Sequence, residues 1–291
     1  MAVSDQSLPS GISARPLTEA DLEAASALSL EAGWNQVTAD WRLFLQIGRA
    51  ICLTRNEKPV ATAAILPYAS RFAWISMVLV TAAERRQGLA RWLLRHCMDD
   101  ILQHGLVPVL DATPAGRAVY LNLGFRDTWG MHRLIGRCGQ FAASPVETVT
   151  VRHLREGDWA QIGDLDKTVF GADRGSLLRS LAQRLPQASL VAVQDERIIG
   201  FCFGRDGRVM TQLGPIMVAD SDTAIMLAAA ALSGISGQAA IDVPDRHATL
   251  VRWLSKRGFS PERPLTRMVY RSASSFDDTM HQFAIAGPEL G

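Results

Sequence analysis

Residues Val78–Ala90 read VLVTAAERRQGLA: the end of an apolar strand, a polar turn, and the start of an amphipathic helix. The helix is expected from about Gly88 to His104, with Gly105 as its stop. Leu89, Trp92, Leu93, Cys97, Met98, Ile101 and Leu102 form one apolar stripe along it. A helix start carries unpaired N–H groups and the positive end of a dipole, so it can hold an anion without special side chains. Gly88 lets the backbone approach a bulky group, Arg85 and Arg86 add positive charge, and Ala90 keeps the entry narrow. The six letters RRQGLA therefore read either as a pyrophosphate cradle or as a solvated turn that carries arginines.

Outward from this stretch, the chain repeats itself. ISARPLTEADLEAASAL from Ile12 matches VTVRHLREGDWAQIGDL from Val149, each a strand, an arginine, a polar turn and a helix. Thr18 and Asp21 have the spacing of a capping box. CLTRNEKPVATAAI pairs with VAVQDERIIGFCF as hairpins turning at Asn56-Glu57-Lys58 and Asp195-Glu196-Arg197. MVLV (77–80) matches PIMV (215–218), LDATP at Leu110 matches IDVP at Ile241, and YLNLGF at Tyr120 matches LSKRGF at Leu254. Five landmarks in step imply two domains of one type, each β-α-α-β-β-β-α-β-α-β. In the first copy the helix pair falls at Thr18–Glu31 and Thr38–Gly48, and the hairpin strands near 50–55 and 59–66. The expected division is an N-terminal tail 1–11, a first domain 12–137, a linker 138–148, a second domain 149–271, and a loosely held C-terminal tail 272–291. The fold class is α/β (α+β), two tandem domains with mixed, mostly antiparallel sheets flanked by helices.

The bulk numbers agree. A chain of 291 residues with 48% hydrophobic and 20% charged content is globular and long enough for two cores. A net charge of +1 supplies no field to draw in nucleic acid or a membrane surface. No secretory signal is recognised at the N-terminus, and the longest apolar run, near Ile225–Leu232, is far short of the ~20 residues that span a bilayer. Cys52, Cys97, Cys138 and Cys202 are too scattered for a metal knuckle, and read as reduced core residues. The expectation is a cytoplasmic protein without metal, with a homodimer left open.

Arg85-x-x-Gly88-x-Ala90 after an apolar strand resembles the acyl-CoA loop of the GNAT N-acetyltransferase superfamily, and AGRAVYLNLGF (Ala115–Phe125) resembles its later helix-and-strand motif. The tandem layout, with AGWNQ early and LTRMVY late, looks like a bacterial group of two-domain GNAT proteins. The resemblance implies acetyl-CoA as co-substrate and a small-molecule amine as acceptor. It implies that the backbone of Met77, Val78, Leu79 and Val80 pairs with the pantetheine arm, an amide near Val78 polarising the thioester carbonyl. Arg85, Arg86, Gln87, Gly88, Leu89, Ala90 and Arg91 would form the pyrophosphate loop. Tyr120 would protonate the departing thiolate; its spacing alone also fits a core aromatic.

An alkyl ammonium must lose a proton before it attacks. Many GNAT enzymes keep a carboxylate beside the acyl strand for this, but Trp74–Val80 holds none. Asp111 is the first candidate base, with Glu31 and His132 next and a water chain equally open; Asp111 also fits a turn carboxylate before Pro114. Trp34 and Asn35, between the first two helices, are the candidate acceptor contacts, while Trp41 reads as core.

The second copy reads VADSDTAIMLAAAAL where the first has its acyl-CoA loop. Asp220 and Asp222 replace the arginines and glycine, and carboxylates there would repel a pyrophosphate. Leu254 stands in place of Tyr120. This half is read as degenerate. Asp242, Arg246, His247 and Arg267 are either a specificity surface or ordinary strand-end residues. Asp206-Gly207 reads as a hairpin turn. The expected activity is direct acyl transfer from acetyl-CoA to a small amine. The alternative is an acyl-CoA or metabolite-binding module without turnover.

Overall fold

The computed structural model describes residues 7–291, so residues 1–6 of the expected N-terminal tail lie outside the described part. The first repeat runs β1 (Ile12–Pro16), α1 (Leu22–Glu31), α2 (Thr38–Ile47), β2 (Arg49–Arg55), β3 (Lys58–Tyr68), β4 (Phe72–Val80), α3 (Leu89–Gln103), β5 (Val107–Ala112), α4 (Pro114–Asn122) and β6 (Phe125–Arg137). The second runs β7 (Thr150–His153), α5 (Trp159–Phe170), α6 (Gly175–Arg184), β8 (Leu190–Gln194), β9 (Arg197–Arg205), β10 (Thr211–Val218), α7 (Ser221–Gly234), β11 (Gln238–Pro244), α8 (Ala248–Ser255) and β12 (Ser260–Tyr270). A short β13 (Gln282–Ala284) follows. Both copies have the expected element order.

Local chemistry explains the matching starts. The backbone N–H of Thr18 donates to Asp21 at 2.9 Å, and Arg15 clamps the same carboxylate at 2.7 and 2.8 Å. Arg152 and Asp158 repeat the clamp in the second copy at 2.7 and 2.9 Å. Both hairpin turns place two residues in the left-handed region, Asn56-Glu57 and Asp195-Glu196, as tight primed turns require. Asp206-Gly207 lies in the hairpin connection between the antiparallel strands β9 and β10, which is the longer loop 206–210 and not a two-residue turn; Asp206 accepts from Arg184 there.

By packing, the chain divides into a unit ending at Pro108 and a unit from Val109 to Gly291, a boundary inside β5 and not at the linker 138–148. In the first unit the antiparallel order is β1-β2-β3-β4. Trp41, Phe44, Leu53, Leu66, Trp74, Leu93 and Ile101 are all buried in it. Trp41 stacks edge-on against Phe44 and donates its indole N–H to Ser29 at 3.0 Å, so its polar tip is satisfied inside the core.

In the second unit the order is β5-β12-β6-β11-β10-β9-β8-β7, and this explains the boundary. The last strand of the second repeat, β12, lies between β5 and β6 of the first; β6 in turn lies between β12 and β11. The repeats have exchanged their final strands. Two buried ion pairs fix the exchange. Arg267 of β12 sits directly opposite Asp111 of β5 and grips it at 2.9 Å through both Nε and Nη2. Arg133 of β6 sits opposite Asp242 of β11 and grips it at 2.8 Å in the same way. Each arginine stands eight residues after the phenylalanine of its Gly-Phe pair, and each aspartate in the matching LDATP or IDVP segment.

The stretch 272–291 is not loosely held, which corrects that expectation. Phe283, Ala284, Ile285, Ala286 and Leu290 are buried, because this polar-looking segment ends in an apolar FAIA run that packs on the sheet. Its backbone fills the space where β10 and β11 part. These strands pair only through Thr211–Leu213; beyond that Val218 donates to the His281 carbonyl at 2.9 Å, Ile216 pairs with Ala284, and Ile285 donates to the Asp242 carbonyl at 3.1 Å.

Candidate active site

In the first unit β4 carries a bulge. Thr62 pairs with Leu79 but Ala64 with Ser76, so Ala63 faces both Met77 and Val78. Met77 adopts φ 54°, and its carbonyl accepts the Thr62 hydroxyl at 3.0 Å. A bulge leaves one residue outside the ladder and re-aims the backbone around it. The strand that the sequence marks for a thioester is thus irregular at Met77-Val78, while Leu79 and Val80 return to regular pairing.

After β4 the chain makes one 3-10 turn, Ala82–Glu84, and enters α3 through Arg85-Arg86-Gln87-Gly88. Not every side chain of RRQGLA is available to a ligand. Arg85 donates to the Val80 carbonyl at 3.1 Å and lies 4.0 Å from Glu31. Gln87 donates to Glu84 at 2.8 Å, and Glu84 is itself gripped by Arg55 at 2.6 and 2.9 Å. These contacts build the loop. Arg86 at φ 64° and Gly88 at φ 82° are both left-handed, a geometry that gathers successive N–H groups on one side. A Cβ on Gly88 would meet nothing within 4 Å, so the space before the helix is open. Leu89 is buried and anchors the helix, whereas Ala90 and Arg91 are exposed. Among the described residues Arg86 and Arg91 form no ion pair, and the first-turn amides of α3 have no intrahelical acceptor.

Glu31 ends α1 and accepts from the Ala82 amide and, at 2.8 Å, from the Thr81 hydroxyl. Those two donors, with Arg85 behind them, hold its carboxyl below the usual range. It fastens the α1 end to the loop that follows β4. Trp34 and Asn35 follow immediately, half-buried, with the Trp34 amide donating to the Ser29 carbonyl at 2.9 Å. Two buried oxygens in this unit, Gln36 Oε1 and Ser76 Oγ, have no hydrogen-bond partner. Such atoms cost about 1–3 kcal/mol each unless a ligand or water meets them. Gln36 adjoins Trp34-Asn35 and Ser76 adjoins the bulge, and hydropathy gave no sign of either.

Tyr120 and Asp111 belong to the second unit. Thr113 caps α4 by accepting the Gly116 amide at 3.3 Å, with Pro114 at the first helical position. Tyr120 lies one turn after Gly116, and its ring covers that glycine so closely that a Cβ there would stand 2.9 Å from it. The ring also packs 6.1 Å from Phe125, and burial pushes the phenol above its ordinary value. The Asp111 side chain is buried and held by Arg267, which also bonds Asp277 and lies 4.4 Å over the Trp129 ring. Burial pushes the Asp111 carboxyl up, opposed by the Arg267 guanidinium. His132 bonds Asp245 at 2.7 Å.

The second copy has a different start to its matching helix. Asp220 caps α7 and accepts the Thr223 amide at 2.9 Å, so a carboxylate occupies the place left open before α3. Of the proposed specificity residues, Asp242 and Arg267 are consumed in the strand exchange. His247 bonds the Thr279 and Gln282 carbonyls at 2.8 and 3.0 Å, and Arg246 bonds Thr279 at 2.8 Å; both hold down the C-terminal segment.

Known families match both halves: the acetyltransferase (GNAT) family over residues 18–125 and an acetyltransferase (GNAT) domain over residues 162–284. The chain belongs to the GNAT superfamily, as a tandem pair. A holothin acyltransferase from Pseudoalteromonas sp. (strain SANK 73390) is 26% identical over 244 residues, 81% of this chain and 79% of that one. The crystal structure of a putative acetyltransferase from Pyrococcus horikoshii superposes with a TM-score of 0.80 at 18% identity, covering 100% and 99% of the two chains. A tandem GNAT protein from the clavulanic acid biosynthesis pathway superposes with a TM-score of 0.62 at 13% identity, covering 89% and 98%. The mixed, mostly antiparallel fold is therefore that of tandem GNAT proteins, and the family's activity is acyl transfer. Among the described residues there is no metal-binding cluster and no helix long and apolar enough to cross a membrane.

Proposed function

We propose that the protein transfers an acetyl group from acetyl-CoA to a primary amine of a small molecule, by direct attack within a ternary complex. The observation that carries this reading is the contrast between two helix starts. The α3 start is open, left-handed at Gly88 and flanked by Arg86 and Arg91; the α7 start is filled by Asp220. A diphosphate is stabilised at the first and repelled at the second. The second half is also self-occupied: segment 281–285 pairs with β10, the counterpart of the strand that would hold the pantetheine arm. The residues of the first half fit acetyl-CoA, which when bound supplies the activated thioester carbonyl. The amides of Leu89, Ala90 and Arg91, with Arg86, take the pyrophosphate; the irregular backbone at Met77-Val78 turns an amide to the carbonyl oxygen; Tyr120 protonates the thiolate. Trp34 and Asn35, with the unpartnered Oε1 of Gln36, contact the acceptor. Asp111 is assigned to the scaffold, because Arg267 occupies both of its oxygens.

Direct attack is supported by the cysteines. A covalent carrier needs a thiolate, whereas burial pushes the Cys97 thiol up to about 12 and raises those of Cys52, Cys138 and Cys202 as well. The relative named for holothin supports acyl transfer as the activity. The engagement of Asp111 by Arg267 favours a second reading, an acyl-CoA-binding module without turnover. Calorimetric titration with acetyl-CoA, followed by thiol release across a panel of primary amines, separates the two: binding with turnover supports the transferase, and binding with none supports the module.

A further inference from the structure

The acyl transfer proposed above needs a backbone amide at the β4 bulge to meet charge on the thioester oxygen, and a bulge alone does not fix where its amides point. We infer that Thr62 of β3 is the positioning residue for this step: its buried hydroxyl holds the Met77–Val78 peptide so that the Val78 N–H is directed away from β3. The inference rests on the transferase reading and lies wholly within the first unit.

Thr62 is fully buried in an otherwise apolar run, in which Ala61, Ala63, Ala64 and Ile65 are buried too. A hydroxyl in such a place is costly unless it is bonded. It donates to the Met77 carbonyl at 3.0 Å, a side-chain bond added across the two strands. Met77, at φ 54°, stands where the register shifts from Thr62–Leu79 to Ala64–Ser76. An L-residue keeps the left-handed conformation only where its surroundings enforce it. The Thr62 hydroxyl supplies such a hold.

The Met77–Val78 peptide is trans and planar, so its C=O and N–H point in opposite directions. With the carbonyl turned to Thr62, the Val78 N–H is turned the other way. Val78 is half-buried, between the buried Met77 and Leu79. A donor on the carbonyl also polarises the same peptide unit and makes its N–H the stronger donor. Orientation and polarisation both serve the charge that grows on the thioester oxygen as the amine adds.

The second repeat supplies the contrast. Phe201 pairs with Met217 as Thr62 pairs with Leu79, so a phenylalanine stands where the hydroxyl would be. Pro215 stands in place of Met77, and Ile216, the counterpart of Val78, is already paired with Ala284 of β13. The copy that has lost the open helix start has lost this hydroxyl as well.

Thr62 exchanges no proton. The lone pair of a neutral amine forms the N–C bond while the carbonyl pair moves onto oxygen, and that pair returns as the C–S bond breaks. The nitrogen gives one proton to solvent and the thiolate gains one.

The test compares full-length wild type, Thr62→Val, which keeps the shape without the hydroxyl, and Thr62→Ser, which keeps the hydroxyl. Infrared difference spectra record the carbonyl stretch of bound, carbonyl-labelled acetyl-CoA. Calorimetry gives its Kd, and thiol release with the best primary amine of a panel gives kcat and KM. In the wild type the stretch should lie below that of free acetyl-CoA. Thr62→Val should return it towards the free value and lower kcat by about 10- to 100-fold, with Kd and KM within about threefold. Thr62→Ser should restore both the lowered stretch and most of the rate. A merely structural hydroxyl would lower the melting temperature without moving the stretch. An unshifted stretch in the wild type, which needs no variant to fold, overturns the inference. So does a valine variant with the wild-type stretch and kcat, or a serine variant as impaired as the valine one. A wild type that binds acetyl-CoA with a lowered stretch but consumes no amine overturns the transferase reading and leaves Thr62 to be judged on the stretch. One that binds no acetyl-CoA overturns both.

Discussion

Replacing Arg267 by methionine removes a guanidinium shared by Asp111 and Asp277, whose side chains are 0% and 3% exposed, and the cation stacked on Trp129. Methionine fills much of the volume, so the loss is mainly electrostatic: two carboxyls stay buried without their partner. Breaking a buried pair in this way costs about 3–5 kcal/mol, a large part of the 5–15 kcal/mol typical of a folded domain. The cost must depend on pH. Without Arg267 the opposing influence on Asp111 disappears, and burial pushes its carboxyl further above the unfolded value. A group whose folded pKa is raised binds more protons when folded, so the stability it retains at low pH is lost as pH rises towards the folded value. Each pH unit in that window is worth up to about 1.4 kcal/mol per group. Urea unfolding at pH 5 and pH 8, with wild type at both, measures this. The variant should lose about 3–5 kcal/mol at pH 8 and clearly less at pH 5. A loss below about 1 kcal/mol at pH 8, or equal losses at both, would refute the view that the pair locks the exchanged strand.

Tyr120→Phe should leave acetyl-CoA binding within about twofold while lowering kcat by about 100-fold; because burial raises its phenol, the wild-type rate should hold on the alkaline side until well above neutrality. Rapid-quench or steady-state thiol release checks both statements. Gly88→Asp places a carboxylate at a left-handed position before α3 and should raise the Kd for acetyl-CoA by at least about 100-fold, read by calorimetry, with little change in the folded spectrum.

Much of the fold was legible because local rules fix it. Asn56-Glu57 and Asp195-Glu196 announce their turns, the Thr18–Asp21 box starts its helix, and the α3 stripe defines a helix whatever lies beneath it. The strand exchange was not legible, since periodicity says which face a strand buries and not which strand lies beside it. Arg267 and Asp111 are 156 residues apart, and only their matching positions in the repeat, shared with Arg133 and Asp242, hinted at a pair. For the same reason Asp111 read as a cleft carboxylate when its true neighbour was remote in sequence. The tail misled through its polar first half, although Phe283 and Ile285 were apolar enough to dock. At the candidate site, the open helix start at Gly88 was suggested by six letters, whereas the orphaned oxygens of Gln36 and Ser76 required coordinates.

Amide hydrogen exchange with and without CoA tests the central asymmetry most directly. The account predicts slowed exchange in Arg86–Trp92, at the α3 start, and no change in Asp220–Ile225, at the α7 start. Protection at α7, or at neither helix, would contradict it.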